Sequence, residues 1–346
     1  MDDEKFSNML RDLVGSSDDG PDEHPVYASD IGDITAGRVA DILSIRLVAC
    51  DAGRMEARFK VAVYPWMLNA YKILHGGVTG AICDRCMSAL ARSLGMPSTS
   101  DIDAMQLSYQ RPVESGAELH VICRLVSRIG ARYHVEALGV LDGTPAEKPR
   151  FTATASFGLL GGVALPDLAV NASPCDMAGA SGRVPGFGER GGEGAAAAPD
   201  ADDEDMRAFF NILVERGAKR LAPGFAFLIP KAIESCCFRT RESVTRFITT
   251  PSMGAVGDTL FSGCAAMVLD QAMGQLSYYC FGKREFTPTI TLTLTHIRPA
   301  PIGPDLVVRA KVVSQGKHML FLAAEMWSDG EAGSPVYTAT GIYYGS

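Results

Sequence analysis

Positive charge is in short supply in this chain: 32 Lys and Arg stand against 40 Asp and Glu, a formal net charge of −8. That balance argues against general nucleic-acid binding and against docking on an anionic membrane, both of which call for a basic face. Long apolar runs are missing as well, and no stretch approaches the ~18 residues that a bilayer-spanning helix requires. The glycine patterns of a P-loop or a dinucleotide-binding turn are absent. Nine cysteines, an odd number at irregular spacings, make no disulfide framework and point to a reducing compartment. The acidic start, Met1-Asp2-Asp3-Glu4, resembles neither a secretory signal nor an Arg-rich transit peptide. A soluble, cytoplasmic protein is the expectation.

What is present is enough chain for two domains, 346 residues with the 47% apolar and 21% charged content of a globular protein. Residues 161–203 stand apart in composition. They are Gly- and Ala-rich (Gly191-Gly192-Glu193-Gly194, then Ala195 to Ala198), lack apolar periodicity and run into an acidic stretch from Asp200 to Asp205. Such a segment reads as a flexible linker, because it cannot bury enough surface to offset its ordering entropy. It separates an N-terminal helix and acidic segment (1–35) and a first domain (36–160) from a second domain (204–346).

Both halves follow one script. Each opens on a short amphipathic helix: Phe6, Met9, Leu10 and Leu13 in the first, Phe209, Phe210, Leu213 and Val214 in the second. A strand follows, near Met55–Val63 and Ser243–Thr249, and then a long helix of small and apolar residues at 76–94 and 262–281. Four strands complete each half, near 103–110, 117–128, 131–142 and 150–159, and near 288–297, 305–315, 318–328 and 335–343. Period-two alternation marks them: Leu119, Val121, Cys123 and Leu125 share one face, as do Leu306, Val308, Ala310 and Val312. Landmarks recur in register: Arg111-Pro112 with Arg298-Pro299, Gly116 with Gly303, Asp142-Gly143 with Asp329-Gly330. The fold class is α+β, a buried helix wrapped by an antiparallel sheet, built twice.

One block carries chemistry. Leu74-His75-Gly76-Gly77 opens the first long helix, and Asp84 follows His75 by nine residues. Its degraded echo is Leu260-Phe261-Ser262-Gly263, with Asp270 at the matching place. A Gly-Gly at a helix start lets a ligand approach backbone N–H groups and the positive end of the helix dipole; it could equally be a tight turn. Asp84 and Asp270 each lie in small, apolar helical surroundings, where a carboxylate is costly without a task or a partner. Each could be a general base or nucleophile, or be bonded structurally to a helix N-terminus or an Arg. Cys83-x-x-Cys86 has redox or metal spacing but no companion ligands, so it reads as buried helix, and no metal or cofactor is expected. His296 and His318 read as strand-face residues.

These residues resemble the hotdog-fold acyl-CoA thioesterases of the phenylacetate-pathway type. In that family an Asn precedes His-Gly-Gly by six residues and an Asp follows the His by nine, which Asn69, His75, Gly76, Gly77 and Asp84 satisfy. The strand end Tyr109-Gln110-Arg111-Pro112 is also similar. The tandem arrangement resembles double-hotdog proteins, each unit a long helix in a five- to six-stranded antiparallel sheet, paired as a pseudo-dimer. The second copy departs from the pattern: Phe261 and Ser262 replace His and Gly, and Ala255 stands where the Asn would be. Related enzymes place a Ser or Thr on the strand after the helix; Thr289 fits that place, whereas Ile102 occupies it in the first half, with Ser98, Thr99 and Ser100 nearby.

The resemblance implies thioester hydrolysis at a site between the units. Gly76 and Gly77 would receive the oxyanion, His75 and Asn69 would hold the loop and substrate, and Asp270 with Thr289 would complete the site, Asp270 being favoured narrowly over Asp84. The second site, Phe261-Ser262-Gly263 with Asp84, would be weak or inactive. Arg111, Arg128, Arg132 and Arg298 are candidates for coenzyme A phosphates. The expected partner is an acyl-CoA substrate, with no nucleic acid or membrane, and the unit could assemble into homo-oligomers. The competing reading is an inactive acyl-thioester-binding or scaffold protein. A hydratase is disfavoured, since His75 has no nearby upstream Asp.

Overall fold

The computed structural model describes residues 3–14, 39, 43–69, 71–97, 100–143, 145–146, 148–159, 228, 230–237, 239–255, 258–281, 287–329 and 334–345. The expected linker over 161–203 and the second amphipathic helix, Phe209 to Val214, lie outside them.

The first half contains α1 (Asp3–Val14), β1 (Ile45–Asp51), β2 (Glu56–Ala62), α2 (Gly76–Ser93), β3 (Ser100–Tyr109), β4 (Glu118–Ile129), β5 (Arg132–Leu141) and β6 (Phe151–Leu159). The second repeats it with β7 (Ala232–Cys237), β8 (Glu242–Phe247), α3 (Ser262–Cys280), β9 (Thr289–His296), β10 (Leu306–Gln315), β11 (Met319–Ser328) and β12 (Tyr337–Tyr344). All strands join in one antiparallel sheet of twelve, ordered β1-β2-β4-β5-β6-β3-β9-β12-β11-β10-β8-β7. Six strands belong to each half, and the halves meet at β3 and β9, from Ala104↔Thr295 to Ser108↔Thr291.

The alternating strands face the helices as anticipated: Leu119, Val121, Cys123, Leu306, Val308 and Ala310 are fully buried. Burying each such aliphatic side chain stabilises by about 1.5–3 kcal/mol. At matching places, between Leu125 and Ser127 and between Val312 and Ser314, the register slips. Each bulge turns a valine, Val126 or Val313, out to solvent. The edge strands β1 and β7 have no counterpart in the sequence reading. Both are partly exposed and interrupted by a register shift, so they carry no clean alternation. Helix α1 lays Phe6 and Leu10, both fully buried, against the first half.

Helices α2 and α3 cross at their N-terminal turns, and this crossing creates the site. A Cβ on Gly77 would lie 2.4 Å from the Met267 Cα, and one on Gly263 would lie 2.7 Å from the Ala81 Cα. Each helix start thus needs glycine at that position because the other helix's backbone occupies the space. Among the described residues no helix is long and apolar enough to cross a membrane.

Candidate active site

The approach to α2 is shaped by Asn69. Its Oδ1 accepts from the Tyr71 N–H (2.9 Å) and more distantly from that of Ile73 (3.4 Å), an Asx-type turn that folds the loop back. The returning chain places the His75 N–H on the Met67 carbonyl at 3.0 Å. His75 then caps α2: its Nδ1 accepts from the Gly77 N–H at 3.0 Å. With Nδ1 accepting, the ring proton sits on Nε2, which donates to Gln271 Oε1 at 3.1 Å.

Asp270 reaches this helix start from α3, in the other half. Its Oδ2 accepts from the Gly77 N–H at 2.8 Å and lies 3.4 Å from His75 Nδ1. Its Oδ1 accepts from Thr289 Oγ1 and from Tyr343 Oη, each at 2.9 Å. Only 4% of Asp270 is exposed, and a carboxylate this dry is tolerable because it collects three donors, each charge-assisted bond contributing about 1.5–3 kcal/mol. Tyr109 Oη donates to the Gly76 carbonyl at 2.7 Å, on the same peptide whose N–H grips Asp270.

The structure therefore brings His75, Gly76, Gly77, Asp270 and Thr289 together across the interface, while Asn69 supports them from the loop. Two details differ from the sequence expectation. The Gly77 N–H, anticipated as open toward a ligand, is directed at Asp270 and His75. The two glycines also serve different ends: a Cβ on Gly76 would sit 2.7 Å from Asp270 Oδ2, whereas Gly77 makes room for α3. Gly76, the first helical residue, has an N–H with no intrahelical acceptor. Tyr109, Gln271 and Tyr343 were not anticipated.

The pseudo-symmetric position is built differently. Phe261 starts α3 without a side-chain cap, and Asp84, 1% exposed, accepts from Ser88 Oγ at 2.8 Å. The Gly263 N–H also bonds Asp84, but its Oδ2 has no partner. Ile102 and Phe157, paired across the sheet as Thr289 and Tyr343 are, supply no hydroxyl. Burial, and then the charge of Asp101, push the Asp84 carboxyl up to about 7, against the opposing pull of Ser88, Arg92 and the Gly263 N–H. Ser262 Oγ lies 3.2 Å from both Asp101 Oδ1 and Tyr337 Oη, and His296 stacks on Tyr337 with centroids 4.1 Å apart. Asp101 and Tyr337 were also not anticipated.

The remaining candidates have local tasks. Arg111 donates to the Pro149 carbonyl (2.9 Å) and Arg298 to that of Ser334 (3.0 Å). Arg132 pairs with Asp103 at 3.4 Å, and Arg128 lies over the Tyr133 ring. Cys83 and Cys86 are buried free thiols, and burial pushes the Cys83 thiol well up, away from the range of a reactive thiolate. His318 Nδ1 bonds the Gly345 carbonyl. Glu118, His120 and Asp142 converge as cation ligands could. Arg58 Nε donates to His120 Nδ1 at 3.2 Å and Lys60 pairs with Glu118 at 2.6 Å. The imidazole proton is thereby left on Nε2, facing Asp142, and we assign no metal there.

The sequence profile of the Thioesterase superfamily matches residues 71–140 and 257–334, the same portion of each half. Three solved structures share the architecture across most of both chains. The tesB protein of Mycobacterium avium subsp. paratuberculosis has a TM-score of 0.55 at 10% identity, covering 91% of this chain and 99% of that one. Acyl-CoA thioesterase II TesB2 of Mycobacterium marinum gives 0.51 at 11%, covering 87% and 96%. The 12:0-ACP thioesterase of Umbellularia californica gives 0.52 at 10%, covering 84% and 95%. No curated protein sequence matches the chain. At such identities the structural likeness speaks for the fold, two hotdog units in tandem, and the paired profile matches make the corresponding portion of each half similar to the Thioesterase superfamily.

Proposed function

We propose that the chain hydrolyses acyl-CoA thioesters to free acid and coenzyme A at the one interunit site around Asp270. The observation that carries this reading is a buried carboxylate from one unit held against the His75-Gly76-Gly77 helix start of the other. Asp270 either draws a proton from the water that adds to the thioester carbon or attacks that carbon itself. The carbonyl oxygen takes up charge at the Gly76 N–H and the positive end of α2. By the first route the C–S bond then breaks and the leaving thiolate takes the proton drawn from water. By the second the thiolate leaves a mixed anhydride on Asp270, which water hydrolyses to free acid and carboxylate, releasing the proton that the thiolate takes up. Coenzyme A as carrier is supported by the names of the TesB-type relatives, while the acyl-ACP thioesterase among the neighbours makes carrier protein the alternative to assay beside it. The described cysteines are all free thiols, consistent with a cytoplasmic setting.

The test follows thiol release from short, medium, long and aryl acyl-CoAs, with Asp270→Asn and Asp84→Asn in parallel. Removing a general base costs about 10²–10⁴ in rate, so Asp270→Asn loses that much while Asp84→Asn stays within a few-fold of wild type. The opposite pattern would reassign the site. A second reading, an acyl-thioester-binding protein without turnover, is favoured by the Gly77 N–H being already engaged by Asp270. Tight binding with no thiol release from any substrate would establish it.

A further inference from the structure

We propose that Tyr343 and Tyr109, one from each hotdog unit, are positioning residues that clamp Asp270 and the Gly76–Gly77 peptide against each other. This rests on Asp270 being the working carboxylate. Tyr343 is 1% exposed, and its hydroxyl is 2.9 Å from Asp270 Oδ1 and 3.3 Å from the Asp270 carbonyl. Thr289 fills the other place on Oδ1. With Oδ1 occupied twice, Oδ2 is the oxygen turned toward Gly77 and His75, and the carboxylate cannot rotate freely. Tyr109 works from the far side. By donating to the Gly76 carbonyl it polarises the peptide whose N–H meets Oδ2, so the bonds form one chain: Tyr109 hydroxyl, Gly76–Gly77 peptide, Asp270, Tyr343 hydroxyl.

The duplicated halves provide an internal comparison. Strand β6 reads Phe151-Thr152-Ala153-Thr154-Ala155-Ser156-Phe157, and β12 reads Tyr337-Thr338-Ala339-Thr340-Gly341-Ile342-Tyr343. Phe157 stands where Tyr343 does, beside the site whose Asp84 keeps an unpartnered oxygen. Gly341 replaces Ala155 for a physical reason: a Cβ there would lie 2.8 Å from Tyr343 Cε2. A register shift between Ile342 and Tyr343 accompanies the inward ring. Tyr109 likewise gives way to His296, which bonds the Arg298 carbonyl rather than a helix start. Burial and then the Asp270 charge hold both phenols well above their ordinary range, so both remain donors. The groups facing this chain are His75 and Cys83 from α2, Thr289 from β9, and Gln271 next to Asp270 on α3.

The experiment measures kcat, KM and pH–rate profiles on the best acyl-CoA for wild type, Tyr343→Phe, Tyr109→Phe and Tyr337→Phe, the last removing an equally buried hydroxyl beside the other site. Orientation losses of this kind reach about 10²-fold, so Tyr343→Phe is expected to lower kcat by about 10–100-fold with KM within about threefold. With one hydrogen bond to the Asp270 side chain gone, the acid limb of that variant's pH profile departs from the wild type's, which loss of a merely structural hydroxyl would not cause. Tyr109→Phe lowers kcat less, and the double variant falls short of the product of the singles because the two act through one chain. Tyr337→Phe leaves kcat and the limb unchanged. Wild-type turnover with Tyr343→Phe unaltered in kcat and limb overturns the proposal while leaving the hydrolase reading intact. Absence of wild-type turnover, or full activity in Asp270→Asn, overturns both.

Discussion

Asp270 and Asp84 occupy the same point of a duplicated fold, and each receives an amide N–H from the opposite helix start. Around Asp270 the chain adds the Thr289 and Tyr343 hydroxyls and a capping His75. Around Asp84 it supplies Ile102, Phe157 and Phe261 in those places, with Ser88 as a hydroxyl donor and Asp101 as a like charge nearby. The same burial therefore has two solutions. Where several donors surround the carboxylate, hydrogen bonds offset its burial; where fewer reach it, as at Asp84, burial and a like charge push the carboxyl up. Backbone geometry alone does not make the site. A few side chains on strands far away in sequence decide which copy can use its aspartate.

The largest predicted effect comes from writing the first half's side chains into the second. Thr289→Ile with Tyr343→Phe removes both partners of Asp270 Oδ1, and losses of single oxyanion-hole-type groups suggest a fall of about 10²–10³ in hydrolysis at neutral pH. Retained activity in that double variant would mean the two sites differ for some other reason. Gly76→Ser, which copies Ser262, comes next. Its Cβ would press to 2.7 Å on Asp270 Oδ2 and 3.3 Å on Thr289 Oγ1. Activity should drop about 10²-fold, with about 1–3 kcal/mol lost in denaturant unfolding from overpacking.

The other copy has its own signature in pH. Asp84 is raised to about 7 from an ordinary 3.8, facing Ser88 and Arg92 on its own helix, Asp101 on β3 and the Gly263 N–H on α3. Asp101 in turn faces His296 and Ser262. Between about pH 4 and 7 the folded chain then binds more protons than the unfolded one. Stability consequently falls as pH rises through that window and flattens above it, with a slope of at most about 1.4 kcal/mol per pH unit for one proton. Unfolding midpoints measured from pH 4.5 to 8 should show this fall in wild type and a shallower one in Asp84→Asn. Identical curves would mean that Asp84 titrates in its ordinary range.

Much of this arrangement was legible from residues alone, because it rests on local pattern. Alternating residues such as Leu119 to Leu125 marked the strands, the small-residue pattern marked the two long helices, His75-Gly76-Gly77 marked the start of the first as the chemical one, and the duplicate made Asp270 visible beside Asp84. The edge strands β1 and β7 escaped because exposed, bulged strands carry no alternation. Tyr343 and Tyr109 escaped for a different reason. A buried strand aromatic reads the same with or without a hydroxyl, and only pairing Phe157 with Tyr343 across the two halves would have singled it out. Asp101 lies on β3, the strand beside β9, and gains its meaning from His296 and Ser262 in the other unit, far away in sequence.

The smallest effect predicted concerns Asn69, whose place in the motif suggests contact with substrate but whose side chain in the structure serves the loop. Its Oδ1 bonds are joined by backbone ones, the Asn69 N–H to the Ile73 carbonyl at 2.9 Å and the Lys72 N–H to the Asn69 carbonyl at 3.0 Å. In the second half Ala255 takes that position and its N–H still donates to the Thr259 carbonyl. That backbone bond thus forms without the amide side chain. Asn69→Ala should cost about 1 kcal/mol in unfolding free energy, the net worth of a side-chain hydrogen bond of this kind, and reduce kcat only several-fold through a looser His75. Ala255→Asn in the second half should create no activity, since Phe261 and Ser262 still stand at that helix start. If Asn69→Ala instead abolishes hydrolysis at unchanged stability, the amide must reach the thioester directly, and the loop would then be the place where the two copies differ most.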